Sequence, residues 1–399
     1  MTETGKDVAG TGAFVRGRPT LLSYIALGAY TFWLYAFGPA LALLRAEIGF
    51  SYTMISVYSA MWAGGSILAG LTFPAAAGLF GRRALLWWTA LVTTLGAALF
   101  TFSHALAPTL AGAVVMGWAG TTVQITTQSV LADQHGPRSD KALVEANIGA
   151  GAAAVLAPLA LGALHGTPAG WRAAMAVPAV GLVVLYLFYR RTSFPAVSLR
   201  GCGKDRASRT GLPAACWSLC LLVAVGIGVE FCVVYFGSEL LTATTGLSTS
   251  SATTAMTVFY AGILLGRVAG ARLTRHPGRT RTLVWWSLAI TLAGLIALWL
   301  GGNVTVALGG LFAAGLGIAN QFPLTLALAL AAAPGRTDTA NARAQLLGGV
   351  VVLVSPFLLG TMADHIGLAG GFSVAPALTA LSGLLLLAAR GGSAVRSGT

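Results

Sequence analysis

From Leu21 to Leu44 the chain reads LLSYIALGAYTFWLYAFGPALALL, with no charged side chain. Runs of this kind recur to the end of the sequence, near 20 to 44, 52 to 80, 84 to 103, 106 to 131, 142 to 164, 171 to 189, 213 to 241, 249 to 273, 283 to 300, 304 to 331, 341 to 363 and 371 to 389. About 20 apolar residues in a helix cross the hydrocarbon core of a bilayer. In lipid every backbone polar group must be bonded within its segment, and these runs are continuous rather than alternating, so helices are expected and a barrel is not. The first run is too long for a signal-peptide core and is retained as the first span. Composition agrees, with 56% hydrophobic and only 9% charged residues, against roughly a quarter charged in a soluble domain. The expectation is an all-α polytopic membrane protein of about twelve transmembrane helices.

A net charge of +13 raises the question of nucleic acid, which the distribution of charge answers. Basic residues alternate with the runs so that nearly all fall on one side: Lys6, Arg16, Arg18, Arg82, Arg83, Arg138, Lys141, the segment from Arg190 to Arg209, Arg272 to Arg281, Arg336, Arg343, Arg390 and Arg396. The other side carries little beyond Arg45 and Arg172. That asymmetry is the positive-inside pattern, which places both termini in the cytoplasm of a multi-pass cell-membrane protein. Basicity therefore reports orientation and contact with the lipid bilayer, and no nucleic-acid partner is expected. Of the four cysteines, Cys202 falls in the central polar segment and Cys216, Cys220 and Cys232 in or near the seventh run, so neither a disulfide framework nor a metal site is implied.

The sequence also repeats itself. FGRRALLWWTALVTTLGAALF at 80 to 100 is echoed by GRTRTLVWWSLAITLAGLIAL at 278 to 298. Leu85, Trp87, Trp88, Thr93 and Gly96 match Leu283, Trp285, Trp286, Thr291 and Gly294 at an offset of 198. At the same offset Gly117 matches Gly315, and APLALG ending at Gly162 matches SPFLLG ending at Gly360. Two tandem six-helix halves, pseudo-symmetric about the membrane normal, follow: residues 1 to 189 and 213 to 399, joined by a cytoplasmic linker at 190 to 212. Six is even, so both halves enter from the same side and are parallel.

Parallel six-plus-six halves with a basic central linker resemble the major facilitator superfamily over essentially the whole chain. Locally, GLFGRRALL resembles the tail of that family's loop 2-3 motif, with Gly81, Arg82 and Arg83 as its Gly-Arg-Arg, and GARLTRHPGRTR resembles the second copy. AGWRAAM resembles the Gly-Trp-Arg that often opens the sixth span, and GAGAAAVLAPLALG a reduced form of the antiporter motif. Departures are equally specific. Gly78 and Thr274 stand where the loop motif carries aspartate, Ala113 stands near the position of the fourth-span arginine of many drug exporters, and Ala157-Pro158 with Gly162 alone remains of the fifth-span motif.

The residues themselves supply candidates for the chemistry. An ionisable group inside a span is costly and marks function by default. Glu230, about seventeen residues into its run, is the one carboxylate placed deep in the hydrocarbon, as proton carrier or as counter-ion to a cationic solute. Tyr30, Trp33, Tyr35, Tyr235 and Tyr260 are aromatic candidates for contacting solute. Gln124 and Gln128, four apart on one helix face, with Asn320 and Gln321 at the corresponding depth of the tenth run, are expected to line a polar cavity. Gating is assigned to Gly81, Arg82 and Arg83, to Arg267 near a helix end, to Glu145 and Arg343 as a symmetry-related pair of opposite charge, and to Pro158 and Pro356 as matched kinks. Glu239 and Asp364 are expected to be solvated at the outer helix ends.

The resulting expectation is a secondary transporter, acting as a monomer by alternating access on a small-molecule substrate, with the proton as coupling ion and no cofactor. Efflux of a drug-like amphipathic compound leads, and proton-coupled or facilitative uptake of a metabolite follows closely. No G-x-x-x-x-G-K-[ST] loop provides for ATP, and no H-E-x-x-H, G-x-S-x-G or intramembrane Asp pair suggests an enzyme. A receptor or channel is the rival of a different class.

Overall fold

A computed structural model describes residues 16 to 135, 139 to 192, 194, 212 to 273, 279 to 333 and 337 to 394. Lys6, Arg138, Cys202, Thr274, Arg336, Arg396 and most of the 190 to 212 linker lie outside them. Among the described residues the chain forms helices and no strand: α1 (Arg18–Ile48), α2 (Tyr52–Phe102), α3 (Leu106–His135), α4 (Ser139–His165), α5 (Gly170–Tyr189), α6 (Ala214–Thr245), α7 (Thr249–Leu273), α8 (Thr280–Leu300), α9 (Val304–Ile318), α10 (Gln321–Ala331), α11 (Thr337–Ile366), α12 (Leu368–Gly371) and α13 (Val374–Ala394). These supply twelve stretches long and apolar enough to cross a membrane.

The boundaries differ from the sequence reading in two informative places. The expected loop at residues 81 to 83 is a bend within α2, where Gly81 adopts φ 73° and ψ 155°. That backbone is open to glycine almost alone, so the chain turns there without a loop. The tenth run is broken at Asn320 into α9 and α10. Elsewhere helix ends follow local chemistry. The Ser51 hydroxyl accepts from the Met54 amide at 3.3 Å, and Asn303 accepts from the Val306 amide at 2.9 Å, each satisfying a donor that the first turn leaves free. Gly49 and Gly246 end α1 and α6 in the left-handed region.

α1 and α6 are the central helices, 78% buried against 50% or less for every other span. Around them the internal repeat reappears as packing. Gly96 and Gly112 let α2 and α3 approach backbone to backbone, and Gly294 and Gly310 do the same for α8 and α9 at the same offset. The crossings between the first and last six spans also match. Gly162 of α4 lies against Thr254 and Ser250 of α7, while Gly360 of α11 lies against Ser56 and Tyr52 of α2. Both helices carry a proline one turn earlier, Pro158 and Pro356. The Trp88 and Trp286 echoes are each 63% exposed, so the tryptophan repeat belongs to the lipid-facing perimeter and not to the centre.

Candidate functional site

Near mid-depth the two central helices meet through a polar contact. The Tyr35 hydroxyl of α1 donates to Oε1 of Glu230 on α6 at 3.3 Å. From α7 comes a pair of side chains two turns apart on one face, Tyr260 and Arg267. The Tyr260 hydroxyl donates to the Tyr35 carbonyl at 3.2 Å, and the two rings meet edge to face at 5.0 Å. Arg267 places a cationic charge near enough to act on both the Glu230 carboxylate and the Tyr35 phenol. The Tyr35 phenol thus binds the carboxylate and stands near the guanidinium.

Beside this group opens a cavity of about 180 Å³, with a nearly even mixture of polar and apolar wall. Leu27, Leu34, Ala150, Ala154, Ile263 and Leu264 supply the apolar wall. Thr31, Tyr35, Gln124, Asn147, Tyr260 and Arg267 supply the polar one. Arg267 and Asn147 are exposed, and both sit toward the helix ends that share a face with the start of α1. The cavity therefore opens toward the face on which the described chain begins.

The opposite end is shut. Phe37, fully buried on α1, meets Tyr58, Trp62 and Phe100 of α2 and Tyr235 of α6. Beyond it Arg45 of α1 pairs with Glu239 of α6 at 3.1 Å, and its guanidinium lies 3.9 Å from the centre of the Tyr52 ring. Asp364 of α11 accepts from the backbone amides of Tyr52 and Thr53 at 2.9 and 2.8 Å, so the last six spans cap the first turn of α2. A carboxylate at a helix N-terminus is favoured by both the free amides and the helix dipole. Glu239 is only 8% exposed. The expectation of a solvated helix end is corrected for Glu239 alone; Asp364 is exposed as expected, and both carboxylates also join the two sets of helices.

Other expected site residues have different partners. Tyr30 reaches Thr121 of α3 at 3.3 Å, and Trp33 donates to the Met175 carbonyl of α5 at 2.9 Å. Tyr235 stacks on Phe231 at 5.7 Å. Gln128, one turn from Gln124, is half-buried and outside the cavity lining. Asn320 donates to the Gly266 carbonyl at 2.6 Å, where glycines at 266 and 270 make room for it, and Gln321 donates to Thr291 at 2.7 Å. The structure does not bring Tyr30, Trp33, Gln128, Tyr235, Asn320 or Gln321 to the cavity lining; the Trp33 indole and the Asn320 and Gln321 amides found partners on neighbouring helices instead.

The gating set is likewise redistributed. Arg82 pairs with Asp133 of α3, which supplies a carboxylate where Gly78 does not. Arg83 donates to the Arg190 carbonyl. Glu145 is held by Arg16 at 2.8 Å and by Tyr24 at 3.1 Å, and Arg343 is exposed. Glu145 and Arg343, expected to pair when that end closes, are apart in this structure, where Arg16, just ahead of α1, is the cation at Glu145. Cys216 and Cys220, with sulfurs 3.9 Å apart, face the carbonyls of Ala329 and Ala340 as packing groups. Asp133, Asn147, Arg45, Glu239 and Asp364 were missed as site residues. Only Arg45 left a signal, as a cation on a side nearly free of basic residues.

The family profile described as Major Facilitator Superfamily matches residues 22 to 229. No curated protein matches the sequence. Among solved structures, a bacterial homologue of the human lysosomal transporter Spinster, inward-facing and unoccupied, aligns with TM-score 0.73 at 15% identity, covering 94% of this chain and 96% of that one. A D-xylose-proton symporter aligns with TM-score 0.73 at 15% identity, over 92% and 96%. A nucleoside transporter aligns with TM-score 0.71 at 12% identity, over 94% and 98%. At these identities the likeness is one of fold.

Proposed function

The chain belongs to the Major Facilitator Superfamily, and on that premise we propose that it is a secondary active transporter of a small organic solute, coupled to protons at Glu230. The observation that carries the proposal is the Glu230 carboxylate held by the Tyr35 hydroxyl, where Tyr35 and Arg267 together line the central cavity. A carboxylate held by one phenol and balanced by one guanidinium changes its neighbours' charge balance when it gains a proton. It therefore reports protonation to the cavity by way of Tyr35.

In this reading residues 1 to 189 and 213 to 399 are the two rocking units, joined by 190 to 212. Both termini lie in the cytoplasm of the cell membrane, following the basic residues. The open face is then cytoplasmic, and the Arg45 to Glu239 pair and the Asp364 cap close the outside. The cargo is metabolite-sized, since the cavity of about 180 Å³ falls below the roughly 300 to 1,000 Å³ typical of sites for drug-sized ligands. Proton-coupled uptake of such a solute is the main reading. Efflux is the second, supported by the Pro158 and Gly162 remnant of the antiporter pattern in α4.

The test is solute-dependent proton flux in proteoliposomes, over sugars, amino acids, organic acids and drugs, with wild type beside Glu230→Gln. One solute class moving protons in wild type, and binding without proton movement in the variant, supports the reading. Flux that bypasses counterflow indicates a channel, binding without any flux a receptor, and unchanged coupling in the variant removes Glu230 from the mechanism.

A further inference from the structure

Resting on that transport reading, we infer that the cargo is a small organic monoanion, a carboxylate seated on Arg267 with its apolar body between α1, α4 and α7. Arg267 is the charged side chain among the described cavity-lining residues, and the residue is exposed. Glu230 stands behind the Tyr35 phenol, which occupies its Oε1. A cationic solute entering from the open face would meet the guanidinium first and the carboxylate only beyond the tyrosine. An anionic solute meets a planar fork of donors suited to bidentate binding of a carboxylate.

The remaining wall fits the same class. The Asn147 amide nitrogen is engaged with the Leu143 carbonyl at 2.8 Å, which leaves the Gln124 amide and the Thr31 hydroxyl as neighbouring hydrogen-bonding groups in the lining. The apolar side is formed by leucine, isoleucine and alanine side chains from three helices. One charged end and one short apolar end are what these walls can match at once. A long or multiply charged molecule would leave charge against leucine, at a desolvation cost nothing there offsets.

Charge balance links this anion to the proton. The groups that interact with Glu230 are Tyr35 from α1 and Tyr260 and Arg267 from α7. Where α11 packs on α6 near this depth, at Gly228, it presents Ser355 and Val351. With Glu230 ionised, the carboxylate and Arg267 cancel. A proton placed on Glu230 leaves Arg267 as an unbalanced cation facing the cavity, and an organic anion then restores neutrality. Proton and anion each favour binding of the other, by reciprocal linkage, so they travel in the same direction.

The experiment uses three isosteric probes, benzoate, benzamide and benzylamine, binding to the purified full-length protein on the acid and alkaline sides of neutrality. Benzoate is expected to bind, more tightly on the acid side, by up to about tenfold for each pH unit across the titration of one linked group. Arg267→Gln should weaken benzoate about tenfold or more, as loss of a charge-assisted partner does, and Arg267→Lys should retain part of the affinity. Glu230→Gln, which imitates the protonated carboxyl, should hold benzoate binding at its acid-side strength at either pH, an effect a merely structural role would not produce. Melting temperatures of Arg267→Lys and Glu230→Gln near wild type establish that the variants are folded. Benzylamine or benzamide binding better than benzoate, benzoate indifferent to Arg267→Gln, or no probe binding overturns the inference. Proteoliposome flux separates the two claims. Benzoate that binds but never crosses sinks the transport reading and leaves the anion site, whereas a cationic or neutral solute carried with protons does the reverse.

Discussion

The chemistry of this protein rests on few side chains, and each has a partner far away in sequence. The Tyr35 hydroxyl donates to Glu230, so Tyr35→Phe removes one donor from a half-buried carboxylate, an interaction worth about 1.5 to 3 kcal/mol when a charged group is involved. The expected result is retained solute binding with slowed proton movement, read by a pH-sensitive dye trapped in proteoliposomes. Glu239→Gln acts at the opposite end. It leaves Arg45 facing a neutral amide and weakens the closed outer end by about 1 to 3 kcal/mol. Thiol labelling of a cysteine placed at the cavity wall should then proceed faster from the outside than in an otherwise wild-type protein. Glu230 was legible in the sequence because a lone carboxylate deep in an apolar run is conspicuous. Its partners were not, since the direction in which Tyr35, Tyr260 or Arg267 projects depends on the rotation of helices about their axes. The same freedom sent Asn320 and Gln321 to Gly266 and Thr291 and away from the cavity.

At the scale of elements, glycine decides where helices bend and how closely they pass. Gly81 holds α2 in a backbone conformation that an L side chain adopts only with strain. Gly81→Ala should therefore cost about 1 to 3 kcal/mol and lower the melting temperature in detergent, while an unchanged melting curve would mean that the bend relaxes freely. Gly162 and Gly360 sit where a Cβ would run into the helix across the interface. Gly360→Val overpacks that crossing, at a typical cost of about 1 to 3 kcal/mol, and is expected to slow turnover while solute binding persists. Turnover at the wild-type rate would detach this crossing from the motion. The motif-like segment that opens α5 also has a definite task. Trp171 and Arg172 both bind Glu47, at 2.7 and 2.6 Å for their nearest atoms, and so fasten the end of α1 to α5. These contacts were legible only as a resemblance, because the carboxylate that explains them lies on another helix.

For the whole molecule, the structure is a pair of six-span units around α1 and α6, open at one end and fastened at the other. Asp364 of α11 on the first turn of α2 is part of that fastening. A cysteine pair at Thr53 and Asp364 should cross-link under mild oxidation and arrest transport, with activity restored by reductant; cross-linked protein that still turns over would show that the outer end need not open. The span count, the helical class, the charge asymmetry and the repeat at 198 residues were all present in the chain as written. Each depends on a property local to a segment: enough apolar residues to cross lipid, backbone bonds closed within a helix, basic side chains kept out of the hydrocarbon. Which of the candidate side chains meet was decided by tertiary structure alone. The working contacts join residues 195, 194 and 312 positions apart, Tyr35 with Glu230, Arg45 with Glu239 and Tyr52 with Asp364. An apolar run specifies that a helix will span the membrane but says little about which of its faces turns inward, and that choice is made by close packing against the other helices.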